Sequence, residues 1–128
     1  TQIIPSSIML PAVGQGALGI ETRANDRTSR EILDQIDNAD AHQSVLAERT
    51  LLAALRGGCL APIGAWGRIE NDGRLHLSAV VLSADGKARL STDLYGNAAD
   101  AIALGRQAAE HLLDDGAAKL ITQARQAD

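Results

Sequence analysis

The only cysteine among the 128 residues, Cys59, stands in a turn-forming stretch that could expose a thiol for chemistry. Gly57 and Gly58 precede it, and Pro62 and Gly64 follow within five residues. Because glycine has no Cβ, such a turn leaves the sulfur open to a reaction partner. A structural cysteine more often packs as a small hydrophobe inside a helix or strand. A lone thiol of this kind would act as a nucleophile or as an attachment point.

Two other interpretations of Cys59 stay open from the residues alone. Because the glycine pair follows a helical pattern, it could serve only as a helix C-cap with an inert cysteine beside it. A redox role is the second, although Arg56 is the only cation close in sequence and no second cysteine exists to resolve an oxidised form. One cysteine excludes an internal disulfide and a cysteine-pair metal site, and the three histidines show no metal-ligand spacing: His42, His76 and His111.

Composition predicts one globular domain with an aliphatic core, since 45% of the residues are hydrophobic and Trp66 and Tyr95 are the only Trp, Tyr or Phe residues. A formal charge of −4 and so few stacking side chains argue against a nucleic-acid partner. No apolar run reaches the roughly 20 residues of a membrane span, and no secretory signal is visible. A lone thiol fits the cytoplasm. The chain begins at Thr1 without a methionine, so we expect a piece of a longer protein.

The hydrophobic pattern predicts an α+β fold in which helices cover one face of a three-stranded antiparallel sheet. Alternating apolar and polar residues, separated by Asp-Gly turns, predict the strands. Apolar residues at helical spacing predict the helices. The predicted strands are 63–69, 74–82 and 87–95, and the predicted helices are 26–36, 41–55, 98–113 and 117–124. The polar stretch 37–40 is the best domain boundary.

The same spacing predicts which side of each long helix faces the sheet. The buried side of helix 41–55 is predicted to carry Val45, Leu46, Leu52, Ala53 and Leu55. The buried side of helix 98–113 is predicted to carry Ile102, Ala109, Leu112 and Leu113. Glu48 and Arg49, in the middle of the first of these helices, are either a solvated charge pair or a contact to another domain.

A glycine-rich stretch at residues 14–19, GQGALG, matches the G-x-G-x-x-G fingerprint of dinucleotide-binding proteins. That fingerprint requires a strand, a turn, a helix and then a second parallel strand. Here Ile20 to Asn25 is a poor helix opening, and the helix that follows leads to another helix. The stretch therefore favours close approach of the backbone to some other ligand.

Three motifs together resemble the porphobilinogen deaminase (hydroxymethylbilane synthase) family. They are LPAVGQGALGIE at residues 10–21, AER at residues 47–49, and GGC at residues 57–59 with PIG at residues 62–64. Their order and spacing match over the whole chain. One departure is Thr22, where the family often has cysteine, but that position is not the cofactor attachment site.

The resemblance implies that Cys59 carries a dipyrromethane cofactor through a thioether. It implies a transferase of tetrapyrrole biosynthesis that adds four porphobilinogen units to this primer, releases ammonia each time, and frees hydroxymethylbilane by hydrolysis. Gln15 and Gly16 are the implied contacts to a pyrrole ring, through their backbone amides. Glu48 and Arg49 are expected to form an ion pair between domains.

By the same resemblance, residues 1–38 are the remnant of the upstream domains and residues 39–128 are the C-terminal cofactor-carrying domain. The catalytic aspartate and the cationic substrate cleft would lie in the missing N-terminal domains, so the fragment alone is expected to be inactive. A stand-alone α+β binding or regulatory module that shares the fold is the alternative. It predicts no adduct on Cys59.

Overall fold

A computed structural model of the protein describes residues 2–58 and 61–126. Its elements, in chain order, are α1 (Arg27–Leu33), α2 (Ala39–Ala54), β1 (Ile63–Ile69), β2 (Arg74–Leu82), β3 (Arg89–Asn97), a 3-10 turn (Ala98–Asp100), α3 (Ala101–Asp114) and α4 (Ala117–Gln126). The strands form one antiparallel sheet in the order β1-β2-β3. The predicted α+β fold with a three-stranded antiparallel sheet is therefore confirmed.

Two glycine turns connect the strands, as the Asp-Gly signals predict. Gly73 and Gly86 adopt φ of +80° and +70°, a left-handed conformation that glycine tolerates best. The bounds predicted for β1 and β2 are confirmed, but β3 begins and ends two residues later than predicted. Asp85 accepts a hydrogen bond from the Lys87 amide, and the Ser83 hydroxyl accepts one from the amide of residue 88, so these two residues belong to the turn.

One aliphatic core lies between the sheet and helices α2, α3 and α4. Its largest fully buried side chains are Leu51, Leu75, Leu77, Val81 and Leu112. Helix α1 contributes no buried residue. Among the described residues, no helix is long and apolar enough to cross a membrane.

The buried face of α2 differs from the prediction. Its buried residues are Ser44, Ala47, Glu48 and Leu51, whereas Ala53 of the predicted face is exposed. Leu55, at the C-terminal end of the helix, is buried as predicted. In α3, Ile102 and Leu113 are 46% and 38% exposed, although Ala109 and Leu112 are buried as predicted. Close approach of the two helices contributes to the difference, because α2 and α3 meet through Ala47 and Gly105, and a Cβ on Gly105 would lie 3.2 Å from the Leu51 amide nitrogen.

The polar side of β2 is also buried. His76 and Ser78 are 5% and 8% exposed, although their side chains point away from the helices. The His76 ring stacks on Tyr95 with centroids 4.0 Å apart, and its two nitrogens lie 3.0 Å from carboxylate oxygens of Glu70 and Asp93. Side chains of β3 and of the turn that follows β1 therefore cover this side. No group of metal-binding side chains occurs in the described ranges.

The first part of the chain leaves many large apolar side chains exposed. Between residues 2 and 38 these are Ile3, Ile4, Ile8, Met9, Leu18, Ile20, Ile32 and Ile36. The rest of the chain exposes fewer large apolar side chains, so this part has a surface that another domain or protein could cover. The division into residues 1–38 and 39–128 stays a prediction.

Helix α2 ends in a Schellman motif whose left-handed residue is Arg56, with φ of +52°. The Gly57 amide donates to the Leu52 carbonyl at 2.9 Å, and the Arg56 amide donates to the Ala53 carbonyl at 3.0 Å. Arginine occupies the position at which glycine is the usual residue. Gly57 therefore contributes one amide to the cap, but the left-handed position belongs to Arg56 and not to either glycine.

Replacing Arg56 by glycine is expected to stabilise the protein by about 0.5–1 kcal/mol, because glycine removes the Cβ strain of the left-handed conformation but costs entropy in the unfolded chain. Urea unfolding of both proteins would measure this. Arg106→Gly in the exposed middle of α3 is the control and should destabilise by about 1 kcal/mol. A loss of stability in Arg56→Gly would contradict the assignment of the cap.

Candidate functional site

The two glycines on the N-terminal side of the cysteine turn have different surroundings. A Cβ on Gly57 would lie 2.5 Å from Leu52 Cδ1 and 2.7 Å from Ile63 Cδ1, so the absence of a side chain there permits close packing. A Cβ on Gly58 would meet nothing within 4 Å. The turn therefore opens to free space immediately before Cys59. The thiol itself, with residue 60, lies outside the described residues.

The motif at residues 10–21, called the glycine-rich segment below, lies beside the strand that begins after the cysteine turn. Ala12 forms an isolated antiparallel bridge with Gly64, and the Ala65 amide donates to the Pro11 carbonyl at 3.0 Å. Residues 52 positions apart thus meet at the outer edge of β1. The next helix after residues 14–19 begins only at residue 27, so the dinucleotide-binding context is absent from this described segment.

Gln15 and Gly16 are exposed in the turn that follows this bridge. The Gln15 side-chain oxygen accepts a hydrogen bond from the Ala12 amide at 3.1 Å, which folds the side chain back on its own turn. A Cβ on Gly16 would meet nothing within 4 Å, so a ligand has room to approach the backbone. Contact between these two residues and a pyrrole ring stays a prediction.

Glu48 joins the glycine-rich segment to the sheet. One carboxylate oxygen accepts a hydrogen bond from the Gly14 amide at 2.7 Å, and the other accepts one from the Gly67 amide of β1, also at 2.7 Å. The side chain is buried, and the described residues give it no ionic partner, whereas Arg49 is exposed. Within this chain Glu48 is held by two backbone hydrogen bonds, and the ion pair expected between domains stays a prediction.

Burial raises the pKa of Glu48 above its ordinary value of 4.5, and the hydrogen bonds from Gly67 and Gly14 lower it by less. In the folded protein the protonated form is therefore favoured more than in the unfolded chain. The protonated carboxyl group therefore stabilises the folded protein below pH 4.5, and this contribution is lost as the pH rises through the raised pKa.

The free energy of unfolding, measured at a series of pH values, should therefore decrease in the wild-type protein relative to Glu48→Gln as the pH rises from 4.5 through the raised pKa. The glutamine does not titrate, so the difference isolates one carboxyl group. Because both proteins share every other titrating group, a difference that is flat over this range would show that burial does not shift the pKa of Glu48.

A cleft of 320 Å³ lies between residues 6–12 and residues 61–64, on the side of the sheet opposite the helices. Its walls are mostly apolar and include Val80 and Leu82 of β2, while Arg89 contributes a cation. It adjoins the cysteine turn on the C-terminal side. The arrangement provides room for an apolar ring and a positive charge for an acidic substituent.

Comparison with known proteins gives the family. The family model described as "Porphobilinogen deaminase, C-terminal domain" matches residues 42–114, which carry most of α2, the cysteine turn, the sheet and α3. The chain belongs to the porphobilinogen deaminase family. A second model of this family, "Porphobilinogen deaminase, dipyromethane cofactor binding domain", matches residues 1–31, which contain the glycine-rich segment.

Curated relatives named porphobilinogen deaminase align along almost the whole chain. That of Pelotomaculum thermopropionicum is 46% identical over 126 residues, and that of Desulforudis audaxviator is 49% identical over 125 residues. A more distant one, from Staphylococcus carnosus, is 36% identical over 121 residues. The first two alignments cover 98% of this chain but 40% of the relative. The chain thus spans less than half the length of these porphobilinogen deaminases.

The double hydrogen bond of Glu48 was not anticipated from the sequence. A signal for its burial does exist, because Ser44, Ala47, Glu48, Leu51 and Leu55 share one helical face at spacings of three and four. That face is less apolar than its neighbour, so hydrophobicity alone selects the wrong side. Nothing in the sequence specifies the two amides, which are 34 and 19 residues away.

Proposed function

We propose that the chain is the C-terminal part of a porphobilinogen deaminase, the transferase that joins four porphobilinogen units into hydroxymethylbilane with loss of ammonia. One observation carries the proposal: the glycine-rich segment pairs with β1 directly after the cysteine turn, through the Ala12–Gly64 bridge. Two motifs of the family, far apart in sequence, thereby lie together beside one cleft. Membership of the family supports the reaction.

In this proposal Cys59 holds a dipyrromethane cofactor through a thioether. The described surroundings fit such a group, because Gly58 and Gly16 face open space and the adjoining cleft is mostly apolar with one arginine. A thiolate is the side chain suited to forming a bond of this kind, which resists hydrolysis. When bound, the cofactor supplies a primer that stays fixed to the protein while units are added.

The other residues of this chain would bind and orient. Gln15 and Gly16 are the proposed contacts to a pyrrole ring of porphobilinogen, in a turn whose backbone a ligand can reach. Residues 1–38 would belong with the upstream domains, which would supply the acid–base aspartate and the cations for acetate and propionate groups. The lone thiol supports a cytoplasmic enzyme, and the negative charge supports a small-molecule substrate over nucleic acid.

A chimera tests the proposal. This chain would replace the matching 126 residues of the Pelotomaculum thermopropionicum deaminase, with that parent enzyme as the positive control. The chimera should consume porphobilinogen and show an added mass of two linked pyrrole units on the peptide that contains Cys59. The 128-residue chain alone should be inactive. A folded chimera with neither adduct nor activity would refute the proposal and favour a binding module that shares the fold.

A further inference from the structure

We propose that Glu48 is a positioning residue, which fixes the Gln15–Gly16 turn against the sheet and thereby sets the binding of porphobilinogen. The inference rests on the proposed function, because it assigns a purpose to the turn that would contact the substrate. It adds a residue that would touch neither substrate nor cofactor.

The geometry joins three separate parts of the chain through one carboxylate. Glu48 lies in α2, Gly67 lies in the middle of β1, and Gly14 lies in the turn at residues 13–16. Both hydrogen bonds measure 2.7 Å, and each carboxylate oxygen takes one of them. A charged acceptor makes such bonds stronger than neutral ones. The orientation of the turn relative to β1 is therefore set by this side chain.

Few other hydrogen bonds hold the turn in place, although Val13 also packs against the core. Among the described residues, Glu48 is the only side chain beyond residue 26 that hydrogen-bonds residues 2–23. The remaining polar links to the sheet are the Ala12–Gly64 bridge and the bond from Ala65 to Pro11, both before the turn. Without Glu48, no described side chain beyond residue 26 would hydrogen-bond the chain between Gly14 and residue 23.

The glycines at both ends of the link permit it. Gly14 has φ of +71°, in the left-handed region that glycine adopts most readily, and the amide of this same residue donates to Glu48. A Cβ on Gly67 would lie 2.7 Å from the Ser44 carbonyl oxygen, so a larger residue would push α2 and its carboxylate away from β1.

A purely structural role explains Glu48 poorly. Desolvation raises the pKa of its carboxyl group even though two amides donate to it, so the buried charge is held at a cost in stability at neutral pH. An apolar residue would fill the same space in a core that is otherwise aliphatic. A need to orient the two amides accounts for the carboxylate.

An NMR titration of this chain tests the link directly. The amide resonances of Gly14 and Gly67 should shift together with one midpoint above 4.5, because both report the same carboxyl group. In Glu48→Gln neither should titrate with that midpoint. Glu70→Gln is the matched control, since the Glu70 side chain bonds Arg68 and His76 but neither glycine, and it should leave the midpoint of both amides unchanged. Separate midpoints, or titration that persists in Glu48→Gln, would overturn the link.

Steady-state kinetics of the chimera test the positioning role. Glu48→Gln should raise KM for porphobilinogen about 10-fold while the adduct on Cys59 still forms, because a displaced turn weakens substrate binding without removing the primer. Leu112→Ala, a core variant remote from the turn, controls for lost stability and should leave KM unchanged. An unchanged KM in Glu48→Gln, or an equal rise in Leu112→Ala, would overturn the positioning role. An inactive parent chimera would instead contradict the proposed function and leave the NMR result standing.

Discussion

Replacing Cys59 by serine in the chimera is expected to remove the two-pyrrole adduct and to reduce porphobilinogen consumption on the order of 10³-fold or more, a loss comparable to removal of an essential nucleophile. Serine keeps the approximate size and polarity of the residue. Its hydroxyl is not ionised near neutral pH, so it lacks the nucleophilicity of a thiolate. Intact-mass spectrometry and an assay of hydroxymethylbilane would measure the two effects on the same preparation.

A relocated thiol provides the control for this variant. Thr22→Cys in the Cys59→Ser background places a cysteine near the glycine-rich segment, where residues 21–24 are exposed. If any accessible thiol sufficed, the adduct would form at residue 22. We expect none, because the proposal requires the turn between α2 and β1. An adduct on any residue of the Cys59→Ser protein would refute the assigned attachment point.

Stability separates the chemical role of Cys59 from a structural one. The proposal assigns Cys59 to cofactor attachment and gives it no part in the core. The free energy of unfolding of Cys59→Ser should therefore equal that of the wild-type chain within about 0.5 kcal/mol. A loss of several kcal/mol would favour the interpretation of Cys59 as an inert core residue beside the helix end.

The sheet could be predicted from the sequence because its signals are local. Alternation along β1 and β2 and the turns at Gly73 and Gly86 are properties of a few adjacent residues. The start of β3 was placed two residues early, since the alternation continues into the turn while hydrogen bonds to Ser83 and Asp85 end the ladder. Local patterns therefore identify a strand more reliably than they fix its ends.

The faces of the helices and much of the site depend on distant residues. Burial of Ser44 and Glu48 follows from close approach of α2 to α3 and β1, which hydrophobic spacing does not encode. The burial of His76 likewise depends on Tyr95 and Asp93 in the neighbouring strand. Motif resemblance could indicate Cys59 and the glycine-rich segment, but the hydrogen bonds that join that segment to α2 became visible only in three dimensions.

Replacing Gly105 by alanine is expected to destabilise the protein by about 3 kcal/mol, the upper part of the range for overpacking. A Cβ there would collide with the Ala47 carbonyl oxygen and lie 2.9 Å from Thr50 Cβ and 3.2 Å from the Leu51 amide nitrogen. Two of these three atoms are helix backbone, which cannot rotate away as a side chain does. Urea unfolding followed by circular dichroism would measure the loss.

Helix propensity alone predicts the opposite sign, which makes Gly105→Ala decisive. Alanine stabilises an exposed helix interior by about 1 kcal/mol relative to glycine. Ala103→Gly, at an exposed position of the same helix, measures that intrinsic contribution and should cost about 1 kcal/mol. If Gly105→Ala were as stable as the wild type, α2 and α3 could not be in backbone contact. Because Ala47 and Thr50 flank Glu48, a forced separation of these helices would also move the carboxylate that holds the glycine-rich turn.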